Sequence, residues 1–336
     1  MKIVVDNKIP YIKEYLAKIT NNVIYLPGNE INAASVKDAD AIITRTRTKC
    51  NRQLLEGSSV KFIGTATIGF DHIDTDYCQQ AGITWKNCPG CNAGAVEQYI
   101  NAVISLLKQE KGLHTDSVCI GIVGVGNVGT RIMSLANRYG MRVLLNDPPR
   151  KERGESGFVD MDRIVEECDI ITFHTPLIKD GKYKTFHLAD NNFFNSLCKK
   201  PVIINTSRGE VIDTDAILNA IRKKNVAETI IDVWENEPNI NLELLNEVYI
   251  GTPHIAGYSI DGKYNATMMT LKSLCDFFQI NLDFNSSLPE DIKSLEVSDK
   301  NYDVLSSYNP KNDYNILLAH PEDFEKIRGN YNLRKE

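Results

Sequence analysis

Three short polar stretches in the second half of the chain each follow an apolar, β-rich run: Thr206-Ser207-Arg208-Gly209, Asp232-Val233-Trp234-Glu235-Asn236-Glu237 and Thr252-Pro253-His254. Together they hold a guanidinium, carboxylates and an imidazole. With a pKa of ~6.5, an imidazole both takes and returns a proton at neutral pH. A carboxylate beside it fixes the tautomer and raises its basicity. A guanidinium grips a substrate carboxylate with two parallel N–H donors and polarises the neighbouring carbon. Removing a hydride from an alcohol carbon needs a base, an anion to tune it and a cation to hold the substrate. His254, Glu237 and Arg208 are the candidates for these roles. Spacing alone leaves substitutes open. Glu235 could act in place of Glu237, and His174, at the end of another apolar run, could act in place of His254. His254 could merely cap a loop, and Arg208 could pair with a nearby aspartate.

A hydride also needs an acceptor, and the stretch from Val118 to Asp147 reads as its binding unit. The apolar run Val118 to Val123 meets Gly124-Val125-Gly126-Asn127-Val128-Gly129, then a helix-period segment to Tyr139, then a second apolar run, Val143 to Leu145. This is one βαβ half of a dinucleotide-binding fold. Gly124 permits the tight turn, Gly126 lets backbone approach a diphosphate, and Gly129 lets helix pack on strand. Asn127 and Val128 open the helix whose N-terminus would carry the diphosphate. Asp147 stands 18 residues past Gly129. A carboxylate there accepts hydrogen bonds from ribose hydroxyls and repels a 2′-phosphate, which favours NAD over NADP. Arg150 and Lys151 follow and could in principle serve such a phosphate.

The elements that must position these groups alternate in type. From Met1 to about Gln80, β-rich runs (Ile3 to Val5, Val23 to Leu26, Ala41 to Thr44, Phe62 to Thr65, then Ile83 to Trp85) are separated by helix-like segments, the pattern of a parallel sheet covered by helices. Ligands of such sheets bind beyond the carboxyl ends of strands. That rule points to Arg45-Thr46-Arg47-Thr48 and Ala66-Thr67-Ile68-Gly69, with Arg45, Thr46, Arg47 and Thr67 as a candidate anion site. Helical periodicity predicts long helices over Ala95 to Lys108 and Asn265 to Phe278, flanking the nucleotide unit. Further β runs are expected at Ile170 to Phe173, Val202 to Asn205, Thr229 to Ile231 and Val248 to Ile250.

The expected fold is therefore α/β: a Rossmann dinucleotide-binding domain (96–263) inserted into a flavodoxin-like substrate domain (1–95 and 264–284), with the active site in the cleft. A small C-terminal α+β appendage (285–336) is expected to have a β run at Tyr314 to Leu318 and a helix at Asp323 to Tyr331. With few apolar residues it is marginal by itself and should pack on the body or on a partner subunit; burial of Ile316 and Leu318 against a second subunit would make a homodimer.

Length and charge bound the class. A chain of 336 residues exceeds one ordinary core, and a formal charge of −6 without a basic tract argues against nucleic acid. No apolar stretch reaches membrane-spanning length and the N-terminus lacks signal-peptide zones, so a cytoplasmic protein acting on a small molecule is expected. The eight cysteines lack regular spacing and read as reduced thiols. Cys88-Pro89-Gly90-Cys91 has no second cysteine or histidine pair nearby and reads as a loop; no metal is expected.

The set GVGNVG, NTSRGEVID, DVWENEP and TPHIAGYS resembles the D-isomer-specific 2-hydroxyacid dehydrogenase family over residues 1 to 280. The resemblance implies that Arg208, Glu237 and His254 are the catalytic trio and that Asp232 meets the carboxamide of NAD. Closer features, TATIGFDHID, PGCNAGAVEQY, NDPPRKERGE and FHTPLIKDGKYKTFHLAD, are similar to the branch that oxidises a four-carbon phosphorylated 2-hydroxy acid. There the residues matching Thr46, Thr67 and Tyr258 contact substrate, and those matching Asp147, Thr175 and Gly257 contact NAD. YDVLSSYNP and FEKIRGNYNLRKE resemble parts of that branch's dimerisation domain. Two other readings use the same residues: a sibling acting on glyoxylate, hydroxypyruvate or 3-phosphoglycerate, and an NAD-sensing interaction protein.

Overall fold

The computed structural model describes residues 1–282 and 304–336, which form two compact units: 1–92 with 259–282 and 335–336, and 93–258 with 304–334. The first unit is built on five parallel strands, β1 (Ile3–Asp6), β2 (Val23–Leu26), β3 (Ala41–Thr44), β4 (Phe62–Thr65) and β5 (Thr84–Lys86), in the order β2-β1-β3-β4-β5. This is the flavodoxin-like order. Successive side chains of a strand face opposite ways, and both faces are buried here. Ile3, Val5, Ile43 and Phe62 enter one core, while Val4, Ile42 and Ile63 enter the other. The helix Ile260–Phe278 covers the first of these faces. Its approach to β4 depends on Gly64, where a Cβ would lie 2.6 Å from Thr270 Cγ2.

The second unit contains six parallel strands, β6 (Cys119–Val123), β7 (Arg142–Asn146), β8 (Ile170–Phe173), β9 (Val202–Asn205), β10 (Glu228–Ile231) and β11 (Ile250–Gly251), in the order β11-β10-β9-β8-β6-β7. A parallel bridge from Leu145 to Phe158 stands outside β7 where a Rossmann sheet has its third strand. Counting it, the order is the 3-2-1-4-5-6 of a dinucleotide-binding sheet with one further strand, β11, beside the sixth. The long helix Ala93–Lys111 buries Val96, Ile100, Val103, Ile104 and Leu107 against the face formed by Ile120, Ile122, Ile204 and Ile230.

The C-terminal segment departs from expectation, and its first part, 285–303, lies outside the described residues. The rest is helical, over Val304–Ser307, Pro310–Ala319 and Phe324–Gly329, and packs within the second unit. Tyr314 to Leu318 is thus helix, not strand. Asn309 caps the helix by accepting from Lys311 N–H, and Pro310 occupies a first-turn position where a missing N–H costs nothing. Tyr314 and Leu317, one turn apart, face inward. Leu317 is fully buried and the Tyr314 hydroxyl donates to the Leu245 and Val248 carbonyls. Leu317 and Phe324 belong to the same core as Leu244 and Val248. The described part of the segment thus packs on the body of the second unit, one of the two placements expected of it. Ile316 and Leu318, which flank Leu317 on either side of the helix, are 50% and 38% exposed.

Candidate active site

The glycine-rich turn after β6 has the shape that its three glycines require. Gly124 has φ +88°, and a Cβ there would press to 2.8 Å on the His174 carbonyl and on Thr175. A Cβ on Gly129 would lie 2.1 Å from the Gly124 oxygen, whereas one on Gly126 would meet nothing within 4 Å. Gly126 thus leaves open backbone at the start of the helix Asn127–Arg138, where N–H groups have no intrahelical acceptors. Opposite Gly124, after β8, the buried Thr175 hydroxyl finds no partner among the described residues. Open backbone, a helix N-terminus and an orphaned hydroxyl at the point where strand order reverses fit a dinucleotide diphosphate.

Asp147 caps the helix Pro148–Glu152 through Arg150 N–H and accepts Val125 N–H at 2.9 Å, so its carboxylate borders the glycine turn. Arg150 is drawn to Glu155 and the Val125 carbonyl, and Lys151 to Asp160. The two cations that could have served a 2′-phosphate thus have carboxylate partners.

At the ends of β10 and β11 the structure brings Glu237 and His254 together. His254 Nδ1 lies 2.8 Å from Glu237 Oε2, and Glu237 Oε1 accepts Trp234 N–H at 2.9 Å. Burial works against the Glu237 charge, yet His254, the Trp234 N–H and Arg328 hold its pKa below the ordinary glutamate value. His254 adopts φ +57°, a left-handed conformation that the surrounding loop must enforce. Its N–H donates to the Asp232 carbonyl at 2.7 Å. The Asp232 carboxylate, 1% exposed, accepts the Ile255 and Ala256 N–H groups and the Thr252 hydroxyl. Because Thr252 spends its proton on Asp232, the Tyr99 hydroxyl, 2.9 Å away, must donate to Thr252. Burial lifts the Asp232 pKa against these bonds. Asp232 is therefore the bolt of the turn that carries His254. Gly257 and Tyr258 complete that turn, with Tyr258 N–H donating to Ile255 O.

Both substitutes are placed elsewhere. Glu235 accepts Thr214 N–H and meets His187 at 2.7 Å, which engages both its oxygens away from His254. His174 contacts the Thr172 and Thr206 hydroxyls through its two ring nitrogens, and burial pushes its pKa down to about 3. An imidazole that resists protonation is a poor general base. Arg208 opens the short 3-10 turn Gly209–Val211, with Nη1 donating to the Ser207 carbonyl. That turn lies so close to Trp234 that a Cβ on Gly209 would come within 2.0 Å of its carbonyl carbon.

In the first unit, Arg45 pairs with Asp6, whose side chain is wholly buried, at 3.0 Å. Thr46 and Arg47 are exposed. The Thr67 hydroxyl donates to the Gly69 carbonyl and contacts Thr65. Cys88 and Cys91 are buried free thiols, and the Cys88 thiol lies 3.1 Å from the Ala266 carbonyl. Burial pushes Cys88 to about 11 and Cys91 to about 12, as structural thiols.

Four further residues support this neighbourhood, though the sequence offers no role for any of them. The Trp234 indole donates to the Thr252 carbonyl, and Tyr99 reaches the same residue from the long helix. Arg334 is buried and donates to the carbonyls of Ala95, Ile255 and Ala256, pinning the turn after His254. Arg328 Nη1 stands 3.8 Å from Glu237 Oε2, with its guanidinium over the Tyr258 ring. Both arginines lie far along the chain from the motifs they touch.

Residues 99–256 match the profile described as D-isomer specific 2-hydroxyacid dehydrogenase, NAD binding domain. Over its whole length the chain is 57% identical to the erythronate-4-phosphate dehydrogenase of Bacteroides thetaiotaomicron, covering 97% of that protein. It is 40% identical to the Shigella flexneri enzyme of the same name, covering 92% of it. Among solved structures, the NAD-bound 3-phosphoglycerate dehydrogenase of Entamoeba histolytica superposes with a TM-score of 0.70 at 28% identity, over 86% of this chain and 99% of that one.

Proposed function

The chain belongs to the erythronate-4-phosphate dehydrogenases of the D-isomer-specific 2-hydroxyacid dehydrogenase family, and from that membership we propose that it oxidises 4-phospho-D-erythronate to 3-hydroxy-2-oxo-4-phosphooxybutanoate with NAD. The reaction places it in the synthesis of pyridoxine 5′-phosphate, in the cytoplasm. The open backbone at Gly126, the N-terminus formed by Asn127 and Val128, the hydroxyl of Thr175 and the carboxylate of Asp147 are the groups that would hold NAD. When bound there, NAD would supply the acceptor for the C2 hydride.

The contact between His254 Nδ1 and Glu237 carries this reading. With Nδ1–H donated to a carboxylate, the neutral imidazole presents the Nε2 lone pair, which takes the C2 hydroxyl proton as the hydride departs. Glu237 then faces an imidazolium and stabilises it. Arg208 is the cation for the C1 carboxylate, matching it with two parallel donors. Tyr258 is assigned to the substrate, as are Thr46, Arg47 and Thr67 in the first unit, with Arg47 and the threonine hydroxyls serving the phosphate. Arg45 is less suited to that task, since its removal would leave Asp6 buried without its ion pair. Following NADH formation from 4-phospho-D-erythronate and 3-phosphoglycerate, and NADH consumption by hydroxypyruvate and glyoxylate, tests the assignment. Four-carbon substrate should give the highest kcat/KM, and a higher value on any other acid would displace it.

A further inference from the structure

Arg328 lies on the helix Phe324–Gly329 and carries the guanidinium closest to the Glu237 and His254 pair among the contacts described. Its side chain hydrogen-bonds Tyr258 but has few other acceptors. Its side chain is only 20% exposed, Nη1 is 3.8 Å from both Glu237 Oε2 and Glu325 Oε1, and the buried Nε has no hydrogen-bond partner among the described residues. A distance of 3.8 Å allows attraction but not a hydrogen bond. A guanidinium carries five N–H donors and never loses its charge, so a partly buried one with an unpaired donor is set up to receive an anion. Tyr258, under the same guanidinium with the ring centroid 5.9 Å away, is a residue assigned above to the substrate.

We propose that Arg328 is a specificity-determining residue that binds the phosphate of the substrate. The proposal rests on the functional reading given above, in which the substrate has two anionic ends and Arg208 takes the carboxylate. The phosphate carries a charge of about −1.5 to −2, more than one guanidinium neutralises, and presents three acceptor oxygens. Arg328 supplies a second cation, and its Nε and Nη donors form the fork that phosphate oxygens accept.

Steady-state kinetics of full-length Arg328→Gln and Arg328→Lys with NAD, on 4-phospho-D-erythronate and on D-erythronate, test this. Gln should raise KM for the phosphorylated substrate roughly 10- to 100-fold, leave the low activity on D-erythronate unchanged, and weaken inhibition by inorganic phosphate in parallel. The affinity for NAD, measured by calorimetry, should stay at the wild-type value, which also reports that the protein is folded. Lys keeps the charge without the fork and should recover part of the loss. If the Gln variant loses both substrates in equal proportion, or keeps its full preference for phosphate, Arg328 does not bind it. Should the Gln variant fail to fold, a Lys variant with unaltered KM and phosphate inhibition would equally overturn the proposal. A wild-type enzyme indifferent to the phosphate would instead sink the substrate assignment on which the proposal depends.

Discussion

At the scale of single residues, the division of labour among like side chains follows from what each touches. His254 has a carboxylate at one nitrogen, while His174 has only hydroxyls at both. His254→Asn should therefore keep NAD affinity and lose ~10²- to 10⁴-fold in kcat, and His174→Asn should lose far less, as initial rates and calorimetry will show. His174 leaves its mark on stability instead. Its folded pKa, about 3, lies below the ordinary value near 6.5, so the unfolded chain takes up this proton first. The resulting destabilisation is absent above that ordinary value and grows as pH falls toward 3. Melting curves of His174→Gln should accordingly decline less steeply than wild type between neutral and mildly acid pH; parallel declines would mean that the imidazole titrates freely. The two glutamates should separate in the opposite sense. Glu237→Gln should cut kcat, whereas Glu235→Gln should leave kcat but lower the melting temperature, because the amide keeps only one acceptor oxygen for the two contacts to Thr214 N–H and His187. A kcat loss confined to the Glu235 variant would reverse the assignment.

At the scale of elements, one turn of six residues shows how glycines of one motif do different work. Gly126→Ala adds a methyl to open space and should fold as well as wild type, yet weaken NAD binding roughly tenfold or more, equivalent to about 1.4 kcal/mol. Gly129→Ala must displace the Gly124 carbonyl and should lower stability before it affects any ligand. Thermal melts and NAD titrations of both variants check this, and equal stability loss in the two would refute the distinction. The turns after β10 and β11 are held in the same physical way, by a buried carboxylate that satisfies backbone N–H groups and by Arg334 satisfying the carbonyls beside them. His254 keeps its left-handed backbone because both kinds of group around it have partners.

At the scale of the whole molecule, the C-terminal helices serve the core through Leu317 and Phe324 and leave Ile316 and Leu318 exposed. Exposed apolar side chains on a well-packed helix suit a twofold contact with a second copy. A homodimer is expected, and Ile316→Asp with Leu318→Asp should yield a monomer in sedimentation velocity at micromolar concentration. A dimer that survives the double change would place the contact elsewhere.

What sequence determined by itself was whatever rests on short-range rules. The GVGNVG turn, the alternation of β runs with helices, and polar residues at strand ends announce a dinucleotide sheet and a His, Glu and Arg set, since glycine sterics and strand periodicity act within a few residues. The tertiary structure alone shows which glutamate meets His254 and that His174 has only hydroxyls at its ring nitrogens. Two residues of spacing separate the glutamates, and only the path of the turn after β10 says which carboxylate meets the imidazole. It also decided that Tyr314 to Leu318 is a helix, because a five-residue apolar run suits either period until a partner surface selects one face. Arg328 and Arg334 became visible only through folding, which brings them beside Glu237 and the turn after His254 from far along the chain.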